Sequence, residues 1–308
     1  YDKGLLYEGH KVVPYCPRCE TPLSSHEVAQ GYKKITEKTI TVKFKLKGAD
    51  DTFILAWTTT PWTLPSNVGL AVNPKIAYVK VEKDGQKYIL AQERAEHYFP
   101  AGKIVEKLSA TELIGKAYEP LMPFFESAAR NSFKIVSGDF VTTQEGTGIV
   151  HIAPAFGEDD YNVGKANNLD FIQPVDASGK FTADVAPLAG QFVKKADKQI
   201  IELLEAQGKI IKMENYEHDY PYCWRCDAPL LYYATLSWFV KVTAFRERLV
   251  EKNKEINWYP GNIKDGRFGE WLAGAKDWAL SRKKFWGTPL PIWRCECGEL
   301  TCVGSREE

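Results

Sequence analysis

At 308 residues the chain is long for one core and predicts about two structural units. Hydrophobic residues make up 44% and charged residues 26%, which excludes a disordered chain, and no apolar run nears the roughly 20 residues of a membrane span. The 40 basic and 40 acidic residues cancel, so the basic surplus of a tight, sequence-independent nucleic-acid binder is missing; a nucleic-acid partner fits only a small contact or basic surface elsewhere in a longer parent.

Tyr1–Gly9 has neither the basic start nor the apolar stretch of a signal peptide, and a first residue other than Met reads as a piece cut from a longer chain. After an arm to about Tyr32, Thr39–Leu46 alternates, with Ile40, Val42, Phe44 and Leu46 on one strand face. Phe53–Thr58 is a second apolar strand. Tyr78–Glu82 and Lys87–Ala91 flank Asp84-Gly85, a hairpin turn. Ser109-x-x-Glu112 is a capping box for a short helix that stops at Gly115. Strands are expected at Lys134–Ser137, Gly148–Ile152 and Ile210–Met213, and helices at Glu158–Asn167 and Ala196–Gln207. Many short strands with a few helices predict an α+β fold with a barrel-like or sandwich sheet, and argue against a parallel βαβ fold. Tyr220–Trp293 is crowded with aromatics. Phe268, Trp271, Leu272, Ala275 and Trp278 are helix-spaced, a stripe expected to be core.

Seven cysteines include two C-x-x-C pairs and one C-x-C pair, which in a large soluble protein read as metal ligands in a reducing, cytoplasm-like compartment. Pro14–Leu23 (PYCPRCETPL) and Pro221–Leu230 (PYCWRCDAPL) repeat one ten-residue pattern. Each knuckle presents two thiolates, so Cys16, Cys19, Cys223 and Cys226 together complete one tetrahedral zinc site. Such a clip brings residues 20 and 222 together and defines an inserted domain closed at its neck by metal. Cys295 and Cys297 are half of another zinc site.

Two further segments carry chemistry. Trp57–Asn67 (WTTTPWTLPSN) ends an apolar strand with three hydroxyls able to orient a water or hold ester and ribose oxygens. Gly146–Asp160 (GTGIVHIAPAFGEDD) places His151 at a strand end and three acids at a helix start, where the helix dipole favours them in any case.

Together these segments resemble the editing domain, connective peptide 1, of isoleucyl-tRNA synthetases. The cysteine knuckles and Trp278–Trp293 (WALSRKKFWGTPLPIW) resemble its flanking parts, so the likeness covers essentially the whole chain. Neither a HIGH-type nor a KMSKS-type motif is present; Gly9-His10 is not one. The resemblance implies a β-barrel-like editing domain at residues 34–215, inserted between an N-terminal arm with the first zinc knuckle (1–33) and a part with the second knuckle (216–308). That last part would be a partial, mostly helical and aromatic edge of the class I catalytic domain.

What the resemblance implies for function is proofreading. One methylene in an apolar pocket is worth only about 1–3 kcal/mol, a margin established for this enzyme family, so a second site must remove valine attached to tRNA(Ile). The implied reaction is ester hydrolysis of mischarged Val-tRNA(Ile) to valine and free tRNA. By similarity Asp160 pairs with the substrate α-ammonium. Thr58, Thr59 and Thr60 line the pocket near the terminal adenosine and the ester. His151 helps to limit side-chain size or acts chemically, and Trp62 stands in the wall. Asp159 and Glu158 are weaker candidates. The zinc is structural, the hydrolysis needs no metal, and ATP belongs to the full-length parent, which ligates isoleucine to tRNA(Ile). The expected partners are tRNA(Ile), valine and the rest of the synthetase chain, with no membrane, in a cytoplasmic monomer. Two other readings stand beside this one. A non-catalytic, zinc-clipped tRNA-docking module would not need such a pocket. A valyl-type editor acting on Thr-tRNA is disfavoured by Thr60-Pro61-Trp62, where valyl and leucyl enzymes have an Arg-Pro-acid continuation.

Overall fold

The structure, a computed structural model, describes residues 1–281 and 287–307. Residues 282–286 of the Trp278–Trp293 segment thus lie outside the described residues. The chain divides into two compact units, Val12–Ala234 and Tyr1–Lys11 with Thr235–Glu308. The dividing points are not those expected at 33/34 and 215/216, and all four cysteines of the repeated pattern fall inside the larger unit.

The chain enters the larger unit along β1 (Leu6–Cys16), followed by β2 (Thr21–Pro22) and α1 (Ser25–Ala29). Strands β3 (Tyr32–Lys45) and β4 (Thr52–Thr58) lead into a 3-10 turn at Pro61–Ser66. Then come β5 (Gly69–Val72), β6 (Ala77–Lys83), β7 (Gln86–Ala91), α2 (Ala95–Tyr98), β8 (Lys103–Ser109), α3 (Ala110–Leu113), β9 (Lys134–Ser137) and β10 (Val150–Ile152). The rest is α4 (Glu158–Ala166), α5 (Val193–Ala206), β11 (Ile210–Pro221) and the first part of β12 (Leu231–Val240).

Six of these strands form one sheet in the order β11-β3-β4-β7-β6-β8, and three form another in the order β10-β5-β9. The α+β class holds, but the barrel-like expectation does not: the larger sheet ends on β11 and β8 and the smaller on β10 and β9, and neither closes. Within these mixed sheets β4 runs parallel to β7 and β5 parallel to β9, pairings the local patterns did not announce.

The alternation in β3 does what its period demands. Ile40, Val42 and Phe44 are buried and enter the main core with Leu46, Ile54, Leu64, Leu70 and Tyr78. Helix α5 covers this core with Val193, Ala196, Ile200, Ile201 and Leu204. Asp84 and Gly85 adopt φ of 51° and 77°, the left-handed pair that a two-residue hairpin requires. The capping box at Ser109 and Glu112 forms, with Glu112 Oε2 accepting the Ser109 backbone N–H at 2.7 Å. A second box, Ser24 with Glu27, opens α1.

In the smaller unit β12 pairs with β13 (Trp278–Ala279), and α6 (Arg246–Lys254) precedes α7 (Arg267–Ala273). A hairpin of β14 (Ile292–Arg294) and β15 (Leu300–Cys302) ends it. The aromatic stripe is not core. Leu272 is buried, but Trp271 and Trp278 are 65% and 60% exposed. Helix α7 stops before Gly274, so Ala275 and Trp278 leave its face, while Phe268 packs on Trp258 with ring centroids 4.7 Å apart.

Candidate active site and cysteine cluster

Strand β4 delivers Thr58 to the start of a tight turn. The Thr58 hydroxyl accepts the backbone N–H of Thr60 at 3.0 Å, and Pro61 opens the 3-10 turn where no N–H is needed. The hydroxyls of Thr58, Thr60 and Thr63 form a short chain, with separations of 3.3 Å and 3.4 Å. Thr58 and Thr63 are buried, and Thr59 and Thr60 are half-buried. Trp62 is buried, its indole nitrogen has no protein partner among the described residues, and its backbone N–H donates to Asp197 Oδ1 at 2.8 Å.

The second segment is held by its glycines. Gly146 and Gly148 have φ of 65° and 73°, and a Cβ on Gly148 would lie 2.4 Å from that of Ala91. Thr147 between them donates its hydroxyl to the Leu55 carbonyl at 2.7 Å and is buried. This threads the chain into β10, where His151 faces Leu70 of β5 in the register.

The two segments meet at two points. Thr63 Oγ1 lies 3.1 Å from His151 Nε2, and the rings of Trp62 and Phe156 meet edge-on at 4.9 Å. Phe156 also neighbours Tyr233 at 6.4 Å, so three aromatics supply an apolar wall. Asp160, in the first turn of α4, turns back to accept the Ala153 backbone N–H at 2.9 Å. Gly157 makes this possible, because a Cβ there would lie 2.7 Å from the Asp160 carboxyl carbon. Glu158 and Asp159 are exposed.

Burial sets the charges. His151 is pushed down to about 4 and stays neutral at physiological pH. Burial also pushes Asp160 up to about 7; the Ala153 N–H works against it and the charge of Asp159 adds to it. A carboxyl so desolvated is held in its ionised form only by a partner cation or by further hydrogen bonds. The junction brings a chain of hydroxyls onto a neutral imidazole beside an aromatic wall, and the Asp160 carboxylate is held by the backbone of Ala153, two residues along the chain from His151.

Asp197 was not singled out in the sequence, and burial raises it to about 7, with Lys194 pulling it down. Its signal was present: it lies on the stripe Val193, Ala196, Ile200, Ile201 and Leu204, an acid on a buried helix face. Thr63 lies inside the first segment, where nothing in the sequence sets it apart from its neighbours.

The cysteine repeat is repeated in three dimensions. Leu23 N–H donates to the Pro14 carbonyl at 2.8 Å, and Leu230 N–H to the Pro221 carbonyl at 3.0 Å. Tyr15 pairs with Pro22, and Tyr222 with Pro229. Glu20 and Asp227, each just after its second cysteine, have φ of 48° and 58°. The sulfurs of Cys16, Cys19, Cys223 and Cys226 all lie within 4.8 Å of one another. Tetrahedral zinc–thiolate bonds of about 2.3 Å place sulfurs about 3.8 Å apart, so this donor set fits one such ion. Cys295 and Cys297 are exposed at the β14–β15 turn and join no group of three or more potential ligands among the described residues.

The sequence pattern of the tRNA synthetases class I (I, L, M and V) matches residues 1–308. The chain belongs to this family. Among class I synthetases, it is 54% identical over 309 residues to the isoleucine–tRNA ligase of Clostridium novyi (strain NT), covering 100% of this chain and 30% of that protein. To the isoleucine–tRNA ligase of Thermoplasma volcanium it is 52% identical over 308 residues, with the same coverage. The chain thus spans 30% of the length of these synthetases. A solved structure described as the Plasmodium knowlesi cytosolic leucyl-tRNA synthetase editing domain overlaps 61% of this chain at 11% identity and a TM-score of 0.46, too loosely to carry weight. Among the described residues no helix is long and apolar enough to cross a membrane.

Proposed function

We propose that the larger unit is the proofreading hydrolase of an isoleucyl-tRNA synthetase and removes valine from mischarged Val-tRNA(Ile). The observation that carries this reading is the junction of the two segments, Thr63 on His151 and Trp62 on Phe156, in a class I synthetase chain. A merely structural turn would not need a hydroxyl chain that ends on a neutral, buried histidine beside an aromatic wall.

In this reading residues 34–215 hold the editing machinery. Asp160 binds the α-ammonium, and Thr58, Thr59 and Thr60 hold the ester end and the terminal adenosine. Trp62 and Phe156 close around the amino-acid side chain, and His151 bounds its size. An aminoacyl ester is already reactive, so holding it and a water in line supplies much of the rate. The four cysteines would hold one zinc ion as a structural clip. The ATP-dependent ligation of isoleucine to tRNA(Ile) is assigned to the complete enzyme.

Deacylation of Val-tRNA(Ile) against Ile-tRNA(Ile) tests the proposal. The chain is expected to hydrolyse the first and spare the second, and Asp160→Ala to abolish the reaction. Equal rates on both substrates, or an unaffected Asp160→Ala variant, would overturn it; tRNA binding without turnover would favour a docking module.

A further inference from the structure

The contacts of the Thr63 hydroxyl admit one arrangement of protons. Its oxygen lies 2.8 Å from the Thr60 carbonyl oxygen and 3.1 Å from His151 Nε2. A carbonyl carries no proton, and two oxygens 2.8 Å apart repel unless a hydrogen lies between them. The single hydroxyl proton of Thr63 is therefore donated to Thr60. That carbonyl also accepts the Thr63 backbone N–H at 3.1 Å, and its two lone pairs suffice for both. Thr63 can then offer His151 only a lone pair, so Nε2 must carry a hydrogen and donate it. The Thr60 hydroxyl, 3.4 Å from Thr63 Oγ1 and 3.3 Å from Thr58 Oγ1, can donate to either and changes nothing in this assignment.

A neutral imidazole has one N–H. With Nε2 protonated, Nδ1 is a bare acceptor. That atom is buried and has no partner among the described residues, in a residue only 7% exposed. A buried acceptor left unsatisfied is costly unless a ligand completes it.

We propose that Thr63 is a positioning residue that fixes His151 as its Nε2–H tautomer, so that Nδ1 is kept free to accept a hydrogen bond from a hydroxyl donor of the editing reaction. The donor is the ribose hydroxyl next to the ester or the hydrolytic water. Its identity rests on the editing reading; the tautomer does not. His151 thus bounds the pocket and also presents a directed lone pair, which a role as mere bulk would not require.

Nitrogen NMR of the chain labelled with 15N-histidine tests this near neutral pH. The five histidines are separated by comparison with His151→Gln, which removes one pair of signals. The expected result is a protonated Nε2 and a bare Nδ1 at His151. A protonated Nδ1 would overturn the proposal. Thr63→Val keeps the shape and removes the lone pair. It is expected to mix the tautomers and lower the deacylation kcat about tenfold, one hydrogen bond's worth, with KM little changed. Thr63→Ser should restore both. A Thr63→Val chain that keeps tautomer and rate also overturns the proposal. A Val-tRNA(Ile) lacking the vicinal ribose hydroxyl separates the donors: the Thr63→Val loss persists if water is the donor and vanishes if the ribose is. A wild-type chain with the bare Nδ1 that leaves Val-tRNA(Ile) intact would overturn the editing reading, and with it the donor, while the tautomer stands.

Discussion

The backbone N–H of Trp62 donates to the carboxylate of Asp197 at 2.8 Å, across 135 residues of sequence. This bond ties the turn that carries the threonines to helix α5, whose buried residues Val193, Ala196, Ile200, Ile201 and Leu204 are all apolar. Asp197→Ala leaves a buried N–H without an acceptor, at a cost of about 1–3 kcal/mol. The expected result is a lower denaturation midpoint together with slower deacylation, because Thr60 and Thr63 lose their fixed frame. Asp197→Asn retains an acceptor oxygen and should recover most of both. Equal damage from the two substitutions would show that the charge matters more than the bond.

The editing rate should depend on pH through Asp160. Burial raises this carboxyl to about 7, and only its ionised form attracts an ammonium group. A profile of kcat/KM for Val-tRNA(Ile) is expected to climb from about pH 5 and level off above about 7. Asp160→Asn should be slow and flat, whereas Asp197→Asn should keep the rise.

Stability has its own pH dependence, with opposed signs. A carboxyl whose folded pKa is raised favours the folded state below its ordinary 3.8 and loses that contribution as pH climbs through about 7. This holds for Asp160 and Asp197 alike. His151, lowered to about 4, contributes above its ordinary 6.5 and loses its share as pH falls through about 4. Asp197→Asn should therefore narrow the loss of stability between pH 4 and 7 relative to wild type. Urea titrations at several pH values would show it, and a variant curve parallel to wild type would refute it.

Metal analysis should find zinc bound at the four cysteines in a ratio of one per chain. Cys223→Ser is expected to release it and to speed proteolysis near residues 20 and 222, where the knuckles meet. A metal-free native chain that chelator does not weaken would remove the clip.

How much of this was legible depended on how local each cause was. The inward face of β3, the Asp84-Gly85 turn and the bounds of β9 follow from residues within a few positions. So does the knuckle geometry, because the same ten-residue pattern forms the same hydrogen bonds twice. The parallel pairings of β4 with β7 and β5 with β9 are set by contacts far apart in sequence. Strand β11 runs to Pro221 rather than Met213, because its polar second half pairs with β3 down to Tyr32 without an apolar run. In the candidate site, the resemblance implied that the two segments meet, but the contacts that join them, Thr63 on His151 and Trp62 on Phe156, were not readable because they link residues about 90 positions apart. Asp197 was hidden in plain view, since a lone acid on an apolar helix face has meaning only once its partner is known.

The neck between the knuckles also has a glycine that sets its tightness. Gly31, just before β3, donates its N–H to Val28 and accepts the Tyr222 N–H at 2.8 Å. A Cβ added there would lie 2.0 Å from the Tyr222 carbonyl oxygen, a backbone atom that cannot swing away as a side chain could. Gly31→Ala must therefore push apart the start of β3 and the residue that precedes Cys223. The expected outcome is weaker zinc retention under chelator challenge and a destabilisation of about 1–3 kcal/mol, as for other overpacked sites. Gly190 is the control: it has open space around its Cβ position but a φ of 75°, so Gly190→Ala costs only local backbone strain and should leave zinc in place. If Gly31→Ala held zinc as firmly as Gly190→Ala, the close approach at Tyr222 would not govern the clip.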